Sequence, residues 1–151
     1  MGSEMCIRDR INSMSYDSEN IFAKILNGEM PCHKVYENES TIVFMDIMPV
    51  SDGHVLVVPK SPAENIFDLS EDYLIEVIKT TKLLSHAMKK ARDPSGLIGK
   101  QFNGPDAGQS VFHYHMHIIP VYNVALNENH GYEMEKPEKL ESIAQKIAAE
   151  I

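Results

Sequence analysis

The sequence lacks the features that mark several common classes of protein. No apolar run approaches the roughly 20 residues of a membrane-spanning helix, and no basic segment followed by an apolar one indicates secretion. The two cysteines, Cys6 and Cys32, have no metal-ligand spacing. We therefore expect a cytoplasmic protein in a reduced compartment, with no membrane partner and no disulfide framework.

Basic residues are scarce in this chain. It has 14 Lys and Arg against 22 Asp and Glu, a formal net charge of −8 at pH 7 with neutral histidines. Binding to a nucleic-acid backbone requires basic surface, so nucleic acid is not an expected partner. A small phosphorylated ligand is compatible with this charge, because a few local donors can hold it. No glycine-rich loop leads from a predicted strand into a helix, which excludes the P-loop and the dinucleotide fingerprint.

The distribution of apolar and turn residues predicts an α+β fold. Strands are predicted at residues 34–37, 41–45, 54–59, 97–102 and 111–120, with the third one central. Helices are predicted at 21–26, from 71 to about 92 and from 137 onward, and a helical turn at 61–69. Tight turns between strands favour a five-stranded, mostly antiparallel sheet with one long helix and short flanking helices.

The chain is expected to form one domain. Residues 1–13 fit no periodicity and Met14 restarts the chain, so we interpret them as a tag or a disordered leader. Residues 14–151 are then the domain, and they are numerous enough to bury a core. We find no internal repeat and no low-complexity linker.

Three histidines at every second position are the most informative feature of the sequence. His113, His115 and His117 precede Ile118 and Pro120. Successive side chains of a strand point to opposite faces, so the three imidazoles are expected to line one face. The alternate apolar residues are expected to face the core. Histidine is a poor core filler, so the row indicates a functional site.

Metal binding is one chemistry that such a row permits. The first and last histidines of the row are roughly 13 Å apart in a regular strand, whereas zinc binds imidazole nitrogen at about 2.0–2.1 Å. One ion cannot therefore take all three. Two of them with His54 from a neighbouring strand could form a metal site, and this alternative stays open.

Phosphate chemistry is the other possibility. Imidazole has an ordinary pKa of about 6.5, so one histidine can be a neutral nucleophile while its neighbour is a protonated donor. The preceding loop offers the side chains of Gln109 and Ser110 and backbone N–H groups near Gly104 and Gly108. Such donors suit the charge that develops on phosphoryl oxygens.

Residues 103–120 resemble the signature of the histidine triad (HIT) superfamily, in which three histidines alternate with apolar residues and two further apolar residues follow. Upstream, Asp46-Ile47-Met48-Pro49 and Gly53-His54-Val55-Leu56 are similar to other segments of the same family, in the same order. The resemblance covers roughly residues 18 to 122 and is to the bacterial Hint-like branch.

This resemblance implies a nucleotide hydrolase or transferase that forms a covalent nucleotidyl-histidine. It would release a nucleoside 5′-monophosphate, AMP first, from a phosphoramidate or a dinucleoside polyphosphate. His115 is expected to be the nucleophile, His117 to contact the phosphate and the leaving group, and His113 and His54 to orient and polarise the row. Expected phosphate ligands are Gln109, Ser110 and Asn103. Asp46 is expected to bind the ribose, and the expected residues around the purine base are Ile21, Phe22, Ile25 and Phe44. Ile47 is also expected to bind the nucleotide.

The chain departs from many bacterial relatives at one pair of positions. Those relatives carry a Cys-x-x-Cys pair that joins two histidines on a structural zinc, whereas this chain has Asn20 and Ala23. We therefore expect no metal and no cofactor, with His54 and His113 serving the phosphate site. The resemblance also implies a homodimer whose sheet extends across two subunits, and a variable C-terminal extension at residues 123–151. Two other readings remain open: a metalloprotein that uses His54 and triad histidines, and a nucleotide-binding module with little turnover.

Overall fold

The computed structural model describes residues 16–123 and 133–151. The described residues form three helices: α1 (Ile21–Leu26), α2 (Glu71–Arg92) and α3 (Pro137–Ala148). They also form five strands: β1 (Lys34–Glu37), β2 (Thr41–Met45), β3 (Val55–Pro59), β4 (Gly96–Lys100) and β5 (Met116–Val121), with a 3₁₀ turn at Pro105–Ala107. None of the described helices is both long enough and apolar enough to cross a membrane.

The five strands form one antiparallel sheet in the order β1-β2-β3-β5-β4. Strand β3 lies in the middle, and all five of its residues are buried. A nearly continuous apolar run suits a strand that is covered on both faces. The predicted α+β class, antiparallel sheet and central third strand are confirmed.

One face of the sheet is covered by α2 and α3, and this side contains the larger core. Ser70 begins α2 by accepting the Tyr73 N–H at 3.4 Å, and Asp93 ends it in the left-handed conformation at φ 48°. Helix α2 contributes Val77, Leu84, Ala87 and Met88 to this core, and α3 contributes Leu140, Ile143, Ala144 and Ile147. These residues pack on Val57 and Ile118 among others, so the apolar side of each helix faces the apolar side chains of the sheet.

The short helix α1 covers only part of the opposite face. Asn20 caps it by accepting the Ala23 N–H at 2.9 Å, and Phe22 packs edge-on against Phe44, with ring centroids 5.3 Å apart. Leu56 and Val58 complete this smaller core. The uncovered remainder of the face is a cavity, and the candidate site lies there.

The boundaries of some elements differ from the prediction. Strand β5 begins at Met116, so His113, which lies at a bend, and His115 are in the segment before it. In that segment the Tyr114 N–H donates to the Ala63 carbonyl at 2.9 Å. The pairing between β3 and β5 therefore begins only at Met116. Residues 61–69 form turns and no helix; there the Asp68 carboxylate accepts the N–H groups of Glu64 and Asn65.

Some predictions concern residues that the structure does not describe. The leader at 1–13 lies outside the described residues, as does His130 within the predicted extension. The domain limits therefore stay predictions. Pro137 opens α3 as the sequence predicts.

Candidate active site

The histidine row opens into a cavity of about 610 Å³ between α1 and the sheet. This volume is in the range of small-molecule sites. Ten of the residues named from the sequence line it: Ile21, Phe22, Ile25, Phe44, Asp46, Ile47, His54, Ser110, His115 and His117. The cavity therefore brings a row of imidazoles next to an apolar slot and one carboxylate.

His115 presents an unprotonated nitrogen to this cavity. Its Nδ1 lies 2.7 Å from the backbone carbonyl of His113, which can only accept, so Nδ1 carries the proton of the neutral ring. Burial lowers the pKa of His115, so the ring is neutral at pH 7. The Phe22 ring packs edge-on against the imidazole at 4.9 Å and fixes its plane. The lone pair of Nε2 is thus available as a nucleophile.

His117 has the opposite tautomer. The Val50 N–H donates to His54 Nδ1 at 3.1 Å, so neutral His54 carries its proton on Nε2. That Nε2–H lies 2.9 Å from His117 Nδ1, which accepts it. His117 therefore has its own proton on Nε2. Burial first, then the neighbouring imidazoles and the Lys100 ammonium, lower the pKa of His54 to about 4 and that of His117 to about 3, so both are neutral at pH 7.

His113 supports the row from behind the cavity. Its ring is fully buried and donates from Nε2 to the Pro59 carbonyl at 2.9 Å. Nδ1 is then an acceptor, and the Tyr16 hydroxyl donates to it at 2.5 Å. Burial lowers the pKa of His113 to about 4, which agrees with a neutral ring. His113 does not line the cavity; its contact with the site is through the carbonyl that orients His115.

Asp46 lies beside His54 at the edge of the cavity. One carboxylate oxygen, Oδ1, accepts the Met48 N–H at 2.9 Å, and the other lies 3.4 Å from His54 Nε2. Burial raises the pKa of Asp46 to about 6, so the group is mostly ionised at pH 7. An ionised oxygen here can accept hydrogen bonds from the hydroxyls of a ligand.

The loop before the row places its polar side chains unequally. The amide of Gln109 is buried; its Nε2 donates to the carbonyls of Glu64 and Val111 at 2.6 and 3.0 Å, and its Oε1 accepts the Gly104 N–H at 2.8 Å. Asn103 Oδ1 accepts the Ile66 N–H at 2.8 Å. Neither residue lines the cavity, whereas Ser110 does. Phosphate binding by Asn103 and Gln109 stays a prediction, and their observed contacts fix the loop.

The sequence did not single out several residues that lie at the site. Tyr16 is separated from His113 by 97 positions, so no local pattern could connect them. Lys100 and Phe102 also line the cavity; the Phe102 ring packs edge-on against His117 at 5.6 Å. In the strand predicted at 97–102 their two-residue spacing puts both on one side, which was a usable signal, although β4 ends at Lys100. The pairing of that strand with β5 could not be predicted from the sequence.

A metal ion has one candidate position among residues 16–123 and 133–151. Ligand atoms of Asp46, His54 and His117 all lie within 4.8 Å of one another. A metal on His54 Nε2 would require the proton to move to Nδ1, where it would face the Val50 N–H. Two hydrogen-bond donors, the Val50 N–H and the His54 Nδ1–H, would then face each other, so the hydrogen bonds of the site disfavour a metal there. The absence of a structural zinc stays a prediction; at the two positions concerned, Asn20 caps α1 and Ala23 is buried.

Comparison with known proteins identifies the family. The family model of the HIT domain matches residues 27–124. "Protein hit" of Bacillus subtilis is 40% identical over 133 residues, which are 85% of this chain and 91% of that protein. The adenosine 5′-monophosphoramidase of Schizosaccharomyces pombe is 34% identical over 133 residues, 87% of this chain and 97% of that one.

A solved structure agrees with these sequence matches. The Hit-like protein from Bartonella henselae, described as involved in cell-cycle regulation, superimposes with a TM-score of 0.83 at 40% identity. The match covers 90% of this chain and 99% of that one. The resemblance inferred from the histidine row is confirmed, and the chain belongs to the HIT domain family.

Proposed function

We propose that the protein is a nucleotide hydrolase that releases a nucleoside 5′-monophosphate, AMP first, through a covalent nucleotidyl-His115. The observation that carries this proposal is the pair of opposite tautomers in one cavity: His115 offers a lone pair, and His117 offers an N–H. The ring centroids are 4.9 Å apart, so one phosphoryl group can meet both. The relatives named as adenosine 5′-monophosphoramidases, 31% and 34% identical, support the choice of AMP.

The first step forms a bond from His115 Nε2 to the α-phosphorus. The bond from phosphorus to the leaving nitrogen or oxygen breaks, and its electron pair departs with the leaving group. The Nδ1–H of His115 still donates to the His113 carbonyl, which stabilises the positive charge that the ring acquires. An amine leaving group needs a proton, and His117 Nε2–H is the group that can supply it.

His117 must take up a second proton on Nδ1, which breaks the hydrogen bond that this atom accepts from His54, before it can release the proton on Nε2. In the unliganded protein burial keeps this ring neutral. An anionic phosphate in the cavity raises its pKa, because a nearby negative charge favours the imidazolium. After an amine has left with that proton, His117 Nε2 is unprotonated; in the second step water attacks phosphorus, this nitrogen takes the proton of that water, and the bond between phosphorus and His115 breaks.

The remaining residues suit the nucleoside. Phe22, Ile25 and Phe44 form an apolar slot for a base, and Ile21 and Ile47 lie at its partly exposed rim. Asp46 is the acceptor available for ribose hydroxyls. Ser110 lines the cavity, and we propose that its hydroxyl binds a phosphoryl oxygen; the N–H groups of Gly104 and Gly108, which the sequence suggested as further donors, are used within the loop.

A trapping experiment tests the proposed intermediate. Adenosine 5′-phosphoramidate and diadenosine tetraphosphate, labelled at the α-phosphorus, are mixed with protein and quenched in base within milliseconds. We expect label on the wild-type protein and on His86→Ala, whose histidine lies exposed on α2, and none on His115→Ala. If His115→Ala turns over either substrate as fast as the wild type, the mechanism is wrong.

A metal-dependent function is the second candidate, because Asp46, His54 and His117 lie close enough to share a cation. Metal analysis of protein purified without chelators tests it; a stoichiometric ion lost in His54→Ala would support it. Tight AMP binding without turnover of either substrate would instead favour a nucleotide-binding module.

We also propose that two copies associate through β4 and α2. Strand β4 is an edge strand whose five residues are all exposed, and Leu97 and Ile98 are among them. On α2, Ile75 and Ile78 are 49% and 56% exposed. An exposed edge with apolar side chains is a template for pairing with another chain, and a homodimer would cover it. A cytoplasmic location stays a prediction.

A further inference from the structure

One row of side chains crosses four strands of the sheet along the cavity. Across the sheet, Phe44 pairs with Leu56, Leu56 with His117, and His117 with Lys100. Directly paired residues of antiparallel strands point to the same face. The apolar slot therefore lies at one end of the row, the imidazoles in the middle and the Lys100 ammonium at the other end.

The charge of Lys100 is not neutralised by a carboxylate. None of the ion pairs among residues 16–123 and 133–151 includes it; its ammonium lies 5.3 Å from the centre of the Phe102 ring. Asp46, the carboxylate of the cavity lining, lies on the slot side, next to His54. Lys100 contributes to the lowered pKa of His54 and His117, so its positive charge acts on the site.

The span of the row fits a nucleotide and a further anionic group. Neighbouring strands are about 4.8 Å apart, so Phe44 and Lys100 are separated by three spacings, or roughly 14 Å. A nucleoside in the slot places its α-phosphorus at His115 and His117. A leaving group that continues past His117, away from the apolar slot, then approaches Lys100, the residue paired with His117.

We propose that Lys100 binds the leaving group when that group is a phosphate, so that the preferred substrates are nucleotidyl phosphoanhydrides. The inference rests on the proposed function and narrows its substrate class. When the bridging bond breaks, its electron pair stays on the bridging oxygen, and negative charge grows on the departing phosphate. The Lys100 ammonium stabilises that charge without any proton transfer. A neutral amine gains nothing from Lys100 and depends on a proton from His117.

Replacement of Lys100 tests this assignment through a ratio of activities. For Lys100→Met we expect kcat/KM on diadenosine tetraphosphate to fall roughly 10- to 100-fold, the usual value of a hydrogen bond to a charged group. On adenosine 5′-phosphoramidate we expect less than about a threefold change, since that leaving group is uncharged. Lys100→Arg should restore most of the loss. The matched control, Lys146→Met at an exposed position of α3, should change the activity on neither substrate.

A binding measurement separates this inference from the proposed function. In the His115→Ala background, which prevents turnover, we expect ADP to bind about tenfold more tightly than AMP. Adding Lys100→Met should abolish that difference and leave AMP affinity unchanged. If wild type hydrolyses neither substrate but the ADP preference depends on Lys100, the catalytic proposal fails and the Lys100 site stands. If Lys100→Met leaves both the preference for ADP over AMP and the ratio of the two activities unchanged, the role proposed for Lys100 is wrong, even if the protein is an active hydrolase.

Discussion

At the scale of single residues, three backbone or side-chain neighbours decide where the protons of the histidine row lie. The His113 carbonyl keeps a proton on His115 Nδ1, and the Val50 N–H keeps His54 Nδ1 unprotonated. His54 therefore donates from Nε2 to His117 Nδ1, and this leaves the proton of neutral His117 on Nε2. Two chemically identical side chains therefore have different roles because of a backbone carbonyl and a backbone N–H, whose positions the sequence does not show.

Tyr16 is a positioning residue in this arrangement. Tyr16→Phe removes the donor to His113 Nδ1, and the freed ring can rotate and move the carbonyl that orients His115. We expect kcat to fall roughly tenfold, below the 100-fold that a 1 Å misplacement costs. KM for the nucleotide should be unchanged, since Tyr16 does not line the cavity.

Steady-state kinetics together with imidazole ¹⁵N spectra measure this effect. The His113 Nδ1 resonance should shift in Tyr16→Phe, and the pH profile of kcat should move with it. Tyr73→Phe, a similar change on α2, is the control. If Tyr16→Phe is only less stable, with the kcat of the folded protein and the ¹⁵N shift both unaltered, Tyr16 has a purely structural role.

At the scale of elements, periodicity and capping residues predicted most of the helices and strands. The predicted hairpin around Asn38, the helix after Ser70 and the helix from Pro137 are all present. What sequence could not give is the pairing between strands. A one-residue slip of β4 against β5 would turn Lys100 to the opposite face, and only the observed register puts it beside His117.

The same limit applies to the loop at 103–110. Polar residues there were expected to bind phosphate, yet Gln109 uses both ends of its amide within the protein. Gly108, at φ 104°, lets the loop turn beneath Phe102. A buried amide that satisfies backbone groups and one that awaits a ligand look alike in sequence, because the difference lies in contacts with distant residues.

The exposed apolar residues of α2 give a prediction about assembly. Ile78→Lys places a charge in the apolar contact that we propose between two copies, so the mass in solution should fall from twice 17.0 kDa toward 17.0 kDa. Sedimentation equilibrium at micromolar protein measures it. Ile151→Lys, the same change at an exposed position of the C-terminus, should leave the mass unaltered. A wild-type protein that is monomeric at these concentrations would contradict the proposed interface.

At the scale of the whole molecule, the buried imidazoles make folding sensitive to acid. The pKa values of His54 and His113 are lowered to about 4 and that of His117 to about 3, whereas histidine in an unfolded chain titrates near 6.5. Between about pH 6.5 and 4 the unfolded chain therefore binds more protons, and the free energy of unfolding falls as pH falls. Asp46 acts in the opposite direction between pH 3.8 and about 6, because its pKa is raised in the folded state.

The lowered pKa values of the buried histidines, His115 among them, outweigh the raised pKa of Asp46, so acidification lowers the stability. We expect the free energy of unfolding to fall by roughly 1 to 3 kcal/mol per pH unit between about pH 6 and 4. Urea unfolding at several pH values measures the slope. His86→Gln should leave the slope unchanged, since His86 is exposed. A stability that is constant from pH 6.5 to 4.5 would mean that the row is not buried in its neutral form.

The contact between Tyr16 and His113 also has a consequence for the order of folding. It joins positions 97 residues apart, whereas the β1–β2 hairpin joins neighbours. Contacts of such long separation form only after the entropy of closing the intervening loop has been offset, so local elements precede them. Because Tyr16 belongs to neither core, we expect a chain shortened past Tyr16 to build its sheet and both cores; the amount of folded protein would then say nothing about the orientation of His115.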